Sequence, residues 1–257
     1  MTDSLAGVVL AAGAGRRLAP LTRVRPKALC PVGGRPLVDH ALDRIGPLVG
    51  GLSAVAVNLH HGADQLDAHL SPAIHRSIEA PEALGTAGAL GALRPWLDGR
   101  DVLVTNADSW FPPGLDLASF LADWDRERIR VLCVAEPARG DFGDLRYCGV
   151  ALMPWRNVDG LRAEPSGLYE VSWSQELATD RLDLVVHKGL FVDCGSPAEY
   201  LAANMASSGG RSVVDPRATV EQGAELVRCV LWDDAEVVRG EHLVETVRGG
   251  NLTLLIR

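Results

Sequence analysis

The sequence predicts an α/β fold: a doubly wound, mostly parallel sheet followed by a short C-terminal left-handed β-helix built on hexapeptides. Three observations predict it. A continuous apolar run, Gly7 to Ala12, leads straight into a glycine-rich loop; strand-like and helix-like segments alternate from there to Ala135; and from Val214 aliphatic residues stand six apart. A chain of 257 residues, 47% hydrophobic and 23% charged, is long enough for one substantial core and a small appendage.

The first run has the unbroken apolarity of a strand buried on both faces of a parallel sheet, which places it near the centre. Leu37 to Leu48 has helical spacing and meets Pro47 and Gly50, Leu52 to Leu59 is β-rich, and Ala63 to Leu70 is helical again. A short strand near His75 to Ile78, a helix from Ala87, a strand Asp101 to Thr105, a helix Leu117 to Trp124 and a strand Ile129 to Ala135 continue the alternation. Right-handed crossovers join such units into one sheet.

At Gly209 and Gly210 the texture changes, dividing the chain into a domain of residues 1–209 and a tail of residues 210–257. Val214, Val220 and Leu226 follow a six-residue period that is neither helical nor that of an ordinary strand; after a slip near Trp232 it resumes at Val237 and Leu243. A few turns of hexapeptide β-helix account for it, with an irregular β-hairpin as the competing reading. An exposed edge on so short a coil favours association into a homo-oligomer.

Composition excludes several function classes. No apolar run reaches the ~18 residues of a membrane span, and Leu5 to Ala14 follows Asp3 rather than a basic region, so neither an anchor nor a signal peptide is expected. The five cysteines are scattered and never in a C-x-x-C pair, which fits reduced thiols and a cytoplasmic location. A net charge of −8 argues against a nucleic-acid or anionic-membrane binder. Yet between Ser4 and Val38 there is no Asp or Glu, while Arg16, Arg17, Arg23, Arg25, Lys27 and Arg35 all fall there. An acidic chain with its cations gathered in one segment points to a small, highly anionic ligand.

The motif Leu10-Ala11-Ala12-Gly13-Ala14-Gly15-Arg16-Arg17-Leu18, followed by Pro26-Lys27, sets glycines and cations where ligands bind on open α/β sheets. Gly13 and Gly15 let the backbone approach phosphate oxygens. The third glycine of a dinucleotide fingerprint is replaced by Leu18, and no Gly-Lys-Ser/Thr of a P-loop occurs.

These residues resemble the signature of the sugar-1-phosphate nucleotidyltransferases, L-A-A-G-x-G-x-R-L, then P-L-T, then P-K. Further matches follow in family order: Val57-Asn58-Leu59, Leu84 to Ala89, Asn106-Ala107-Asp108, and Val192 to Pro197 before Tyr200. The resemblance covers about residues 6 to 206 and implies a Rossmann-like nucleotidyltransferase fold. The tail is similar to that of mannose-1-phosphate guanylyltransferases, and the compact middle with Arg139-Gly140-Asp141-Phe142 resembles the N-acetylmuramate-1-phosphate uridylyltransferase branch.

The resemblance implies an enzyme that makes an NDP-sugar and pyrophosphate from an NTP and a sugar 1-phosphate. By it, Arg17 holds the β- and γ-phosphates, Lys27 grips the α-phosphate, and Ala12, Gly13, Gly15, Gly85 and Thr86 line the nucleotide pocket. Asp108 and Asp193 hold Mg²⁺, with Arg17, Lys27 and Asp108 as the catalytic set, and Gly149 contacts the sugar. Residues 136–166 are expected to form a second, sugar-facing subregion. Two carboxylates at strand ends are the hard oxygen ligands that Mg²⁺ accepts beside substrate phosphate. Taken singly, either aspartate reads as a turn residue or a helix cap, and Asp193 as the cap of a helix starting at Pro197.

Other residues carry two readings. His60-His61 ends a strand, where neighbours point to opposite faces, so a shared metal is disfavoured. Trp110 either stacks on the sugar or fills the core. Glu170 and Trp173 share one helical side and face the sugar, with core packing as the competing role for Trp173. Cys194 shows no sign of a reactive thiol. Where relatives carry Glu-Lys-Pro, this chain has Glu136-Pro137-Ala138-Arg139, so Arg139 or Lys188 is the expected substitute for the sugar-phosphate lysine. A catalytically weak, nucleotide-sugar-binding regulatory subunit is the alternative function. GTP with mannose 1-phosphate and UTP with an amino-sugar phosphate both fit the sequence.

Overall fold

In the computed structural model, which describes residues 5–256, the apolar run forms β1 (Leu5–Leu10). The alternation then runs α1 (Leu37–Ile45), β2 (Val55–Leu59), α2 (Ala63–His69), β3 (His75–Ile78), α3 (Gly85–Leu97), β4 (Asp101–Asn106), α4 (Leu117–Ala122) and β5 (Ile129–Ala135). Residues 1–4 and 257, at the outer ends of the two predicted domains, lie outside the described part. Short 3₁₀ turns, Gly46–Leu48 and Leu52–Ala54, occupy ends assigned from sequence to α1 and β2.

Two further strands, β6 (Leu145–Met153) and β7 (Leu182–Val186), complete a sheet with seven strands among the described residues, ordered β7-β5-β6-β4-β1-β2-β3. All neighbours are parallel except β6, which runs against both β4, with Val104 opposite Ala151, and β5, with Arg130 opposite Leu152. The mostly parallel sheet is as predicted, but the expected separate subregion at residues 136–166 is not. Its central residues are a buried strand of the main sheet, flanked by loops.

Alternate residues of β1 serve opposite faces. Leu5 and Val9 pack with Val38, Ala41 and Ile45 of α1, Leu66 of α2 and Phe120 of α4. Ala6 and Val8 pack with Leu90, Leu93 and Leu97 of α3. Helices thus cover both faces. A fully buried Leu or Ile contributes about 1.5–3 kcal/mol, so α1, which buries Leu37, Val38, Leu42 and Ile45, is held by its packed face more than by helical propensity.

A last helix, α5 (Pro197–Ser208), ends at Gly209 in the left-handed region, φ 65°. Beyond it the chain forms short strands that pair in parallel at one constant offset: Val213 with Val230, Thr219 with Glu236, Leu226 with Leu243, and Val230 with Val247. That offset is one residue short of three hexapeptides, which accounts for the slip near Trp232. Val237 is buried, but Val214 and Val220, one tier earlier, are 40% and 39% exposed.

The tail has no core of its own at its junction with the domain. Trp232 and Val247 pack with Leu18, Leu21, Trp110 and Tyr200. Trp232 Nε1 donates to Tyr200 Oη at 3.0 Å, and Tyr200 Oη donates to the Pro31 carbonyl at 2.5 Å. Arg25 Nη2 meets Asp233 at 2.5 Å, with its guanidinium 4.8 Å from the Trp232 ring centroid. The segment that carries Lys27 is therefore braced by the tail. No helix among the described residues is long and apolar enough to cross a membrane.

Candidate active site

The loop after β1 lies at the carboxyl edge of the sheet, the usual ligand edge of such folds. Asn58 of β2 fixes it: its Oδ1 accepts from Ala11 N at 2.6 Å, and its Nδ2 donates to Glu79 Oε1 at 2.7 Å. Glu79 Oε2 accepts from Leu84 N at 2.7 Å. Asn58 and Glu79 are each only 3% exposed, so water does not compete for these bonds. The loop after β1 and the loop before α3 are thereby tied together.

Between those loops opens a space of about 220 Å³, lined by Ala12, Gly13, Gly85, Thr86 and Asp108 among others. A second space of about 530 Å³ is lined by Tyr147, Gly167, Glu170 and Trp173. Leu10, Thr86 and Asn106 line both, so the two are lobes of one cleft. Residues 162–168 dock on α3 and thereby set Gly167 and Leu168 in the wall of the second lobe. Gly88 and Gly91, three apart on one side of the helix, leave room for that backbone: a Cβ on them would lie 2.2 Å from the carbonyl oxygens of Glu164 and Arg162. Thr86 Oγ1 accepts from Leu168 N at 2.8 Å, and Ala87 N donates to Ser166 O at 3.0 Å.

Asp108 occupies the turn after β4, and Ser109–Trp110 then pairs antiparallel with Val192–Asp193. That pairing brings together two carboxylates far apart in sequence. Lys27 Nζ donates to Asp108 Oδ2 and stands 3.9 Å from Asp193 Oδ1. Arg146 Nη2 donates to Asp193 Oδ2 at 2.8 Å and its Nη1 to Glu136 at 2.8 Å; Arg17 and Arg139 approach Asp193 to 3.7 and 3.8 Å. Burial, reinforced by the Asp108 charge, pushes the Asp193 carboxyl above the usual carboxylate range, against the pull of Lys27. Beneath the turn, Arg44 donates to Thr105 Oγ1 at 2.6 Å and to the Ser109 carbonyl at 2.5 Å, and burial lowers its pKa to about 10.

Apart from Asp193, which meets Lys27 and Arg146 outside the lining of both lobes, the predicted site residues divide into three groups. Ala12, Gly13, Lys27, Gly85, Thr86 and Asp108 line the first lobe, and Glu170 the second. Arg17, its side chain 67% exposed, lies on the rim over Gly195, facing Asp193. Gly15 and Gly149 are demanded by packing: a Cβ on Gly15, at φ 58°, would lie 2.8 Å from Thr22 Cγ2, and one on Gly149, at φ 84°, would lie 1.9 Å from Ser109 Oγ.

Several competing readings resolve. Ser196, not Asp193, caps α5, accepting from Glu199 N. His60 and His61 turn apart, one toward the Glu79 carbonyl and the other toward that of Thr22. Trp110 is core, 2% exposed and packed with Leu18 and Tyr200. Trp173 is both packed against Tyr147 and part of the second lobe. Burial pushes the Cys194 thiol far up. Of the two substitutes for the missing lysine, Arg139 sits in the Asp193 network, while Lys188 is exposed. Sequence reasoning missed Arg146, Glu79 and Arg44, since their pairings span 47, 21 and 61 residues.

A cation-rich rim around two carboxylates, set on the ligand edge of a parallel sheet, suits a nucleotide-binding transferase. The comparisons place it within that class. The model of the MobA-like NTP transferase domain family matches residues 7–220, and the chain belongs to that family. It is 33% identical to the N-acetylmuramate alpha-1-phosphate uridylyltransferase of Caulobacter vibrioides over 76% of this chain and 94% of that protein. With the enzyme of the same name from Neisseria meningitidis serogroup B it shares 26% identity, over 74% and 92% of the two chains. A solved structure described as mannose-1-phosphate geranyltransferase from Thermus thermophilus superposes with TM-score 0.68 over 98% of this chain and 95% of the other, at 19% identity. The resemblance read from the signature loop holds, and the chain is a nucleotidyltransferase.

Proposed function

We propose that this chain is an active, Mg²⁺-dependent enzyme that joins the nucleoside monophosphate of an NTP to a sugar 1-phosphate and releases pyrophosphate. The observation that carries the reading is the placement of Lys27 Nζ against both Asp108 and Asp193 at the mouth of the glycine-lined lobe. Two carboxylates converging on one ammonium offer a point where a divalent cation fits. No group of three or more His, Cys, Asp or Glu that could hold a metal occurs among the described residues. That suits Mg²⁺, which takes one or two carboxylates and completes its shell with substrate phosphate and water. Asp108 and Asp193 would hold it, and when bound it supplies charge neutralisation at the phosphates.

The remaining chemistry belongs to the chain. A sugar phosphate, with a second pKa near ~6, is already largely dianionic at neutral pH and needs no general base. Its oxygen attacks the α-phosphorus, the bond to the β-phosphate bridge oxygen breaks, and that oxygen leaves with the electron pair as pyrophosphate. Ala12, Gly13, Gly85 and Thr86 line the nucleotide lobe. Lys27 turns from Asp108 to the α-phosphate, and Arg17 on the rim receives the β- and γ-phosphates; fixed charges of this kind stabilise the transition state without reorganising. Arg139, the substitute expected from sequence for the missing lysine, would neutralise the sugar phosphate together with Arg146, which shares Asp193 with it. Gly149, behind Ser109, shapes the sugar side.

The relatives' names make UTP the first base to try. For the tail we infer a short left-handed hexapeptide β-helix whose one-sided first tier, with Val214 and Val220 exposed, joins a second copy. Five buried thiols without a disulfide suit a cytoplasmic enzyme.

Pyrophosphate release across the four NTPs and a set of sugar 1-phosphates, with and without Mg²⁺, tests the proposal. Turnover of at least one pair only with the metal supports it. Tight binding of a nucleotide sugar without turnover of any pair establishes the regulatory subunit instead.

A further inference from the structure

The second lobe holds three buried polar atoms without a partner: Asn106 Oδ1, Tyr147 Oη and Trp173 Nε1. Of the other buried side-chain polar atoms without a hydrogen bond among the described residues, the Nε atoms of Arg94 and Arg130 belong to guanidinium groups paired through their Nη atoms, and Arg128 Nε faces Asp183 Oδ1 at 2.6 Å. Asn106 Oδ1, Tyr147 Oη and Trp173 Nε1 all belong to residues that line this one lobe. Trp173 is 4% exposed, and a buried N–H without an acceptor persists in a fold when a ligand or an ordered water completes it.

The lining also has a sign. Asp141 and Glu170 are its charged residues, and no Lys, Arg or His lines it. The neighbouring cations lie on the far side of β6. Arg146 points to Asp193 and Glu136, whereas Tyr147, next in the strand, points into the lobe and touches Trp173 edge-on with centroids 4.9 Å apart. One end of the cleft is thus cationic, and the lobe that would receive the body of the sugar is anionic and aromatic.

Resting on the nucleotidyltransfer reading above, we propose that this lobe selects a sugar 1-phosphate whose body is neutral. Its hydroxyl or acetamido groups donate to Asn106 Oδ1, accept from Trp173 Nε1 and pair with Tyr147 Oη, while Asp141 and Glu170 reject a sugar that carries a carboxylate. Discrimination arises from both halves: buried polar atoms left unpaired by a wrong ligand, and like charges brought together. In this the chain departs from the relatives named for N-acetylmuramate, whose lactyl group ends in a carboxylate.

The test titrates the full chain, loaded with Mg²⁺ and α,β-methylene UTP or GTP, with N-acetylglucosamine 1-phosphate, N-acetylmuramate 1-phosphate and the neutral lactamide of the latter. We expect the carboxylate to bind about tenfold more weakly than N-acetylglucosamine 1-phosphate, with the lactamide recovering much of the loss. Combining Asp141→Asn with Glu170→Gln narrows the gap to about twofold. Trp173→Phe, which removes the N–H and keeps an aromatic ring, weakens the neutral sugar about tenfold and leaves affinity for the nucleotide analogue unchanged, which also shows that the variant is folded. Equal or tighter binding of the carboxylate, or a gap unmoved by the double substitution, overturns the proposal, as does failure of every sugar to bind. Fast turnover of N-acetylmuramate 1-phosphate in preference to the neutral sugar sinks this proposal and leaves nucleotidyl transfer standing. Selective binding of the neutral sugar with no pyrophosphate released does the reverse.

Discussion

Asn58 and Glu79 form a buried carboxamide–carboxylate pair, 2.7 Å from Nδ2 to Oε1, that joins the loop after β1 to the loop before α3. Because the other carboxylate oxygen of Glu79 holds Leu84 N, one side chain ties together both walls of the first lobe.

Replacing Glu79 by Ala leaves the buried Asn58 amide and the half-buried Leu84 N–H without their acceptor. We expect a loss of about 1–3 kcal/mol in unfolding free energy, read by urea denaturation, and a raised KM for the NTP. Glu79→Gln rescues only part of this, since its amide nitrogen must face a donor.

For the carboxylate pair, Asp108→Asn and Asp193→Asn are expected to lower pyrophosphate release by about 10²–10³ while the far-UV circular dichroism stays that of the parent. Lys27→Met loses activity to a similar degree. It also removes the ammonium between Asp108 and Asp193, so its melting temperature falls in chelator and recovers when Mg²⁺ is added. Recovery absent at saturating metal would argue against a cation site there.

Gly91→Ala tests the docking of residues 162–168 on α3. The added methyl would lie 2.2 Å from the Arg162 carbonyl oxygen, a backbone atom that cannot swing aside. Destabilisation of about 1–3 kcal/mol is expected, together with a KM raised more for the sugar phosphate than for the NTP. Kinetics on both substrates distinguish this from a general loss of fold.

All five cysteines are buried, and burial raises Cys30 and Cys133 from an ordinary value of 9.0 to about 12. Dithionitrobenzoate at pH 8 is expected to label none in the native state and all five in guanidinium. The folded chain keeps these thiols protonated while the unfolded chain ionises them near 9. The unfolded state therefore binds fewer protons over that interval, and stability falls as pH climbs from 9 toward 12. Denaturation midpoints at pH 8, 9 and 10 read the slope.

What the sequence disclosed follows the range of the interactions. β1 and its loop were legible because an apolar run and two glycines are local signals, and Lys27, Asp108 and Asp193 because they stand in an ordered signature. β6 was not: Leu145–Met153 lies between loops rich in Gly, Pro and Arg, and its antiparallel place between β4 and β5 is a tertiary choice. Trp110 was ambiguous because stacking and core packing draw on the same side chain. Its burial depends on Leu18 and Tyr200, neither near it in sequence. In the tail the six-residue spacing was visible at Val214 and Val220, yet the buried positions are Leu231 and Val237, their partners one tier on.

The reversed direction of β6 decides where variation can enter the cleft. Its neighbours deliver their last residues to the ligand edge, but β6 delivers its first ones, Leu145 to Gly149, so the preceding stretch of residues 136–144 overhangs the lobe beside Tyr147. Lengthening or recharging that stretch reshapes one half of the cleft without touching Asn58, Glu79 or the glycine loop. A lineage is thereby free to change what the second lobe accepts while the first lobe is inherited intact.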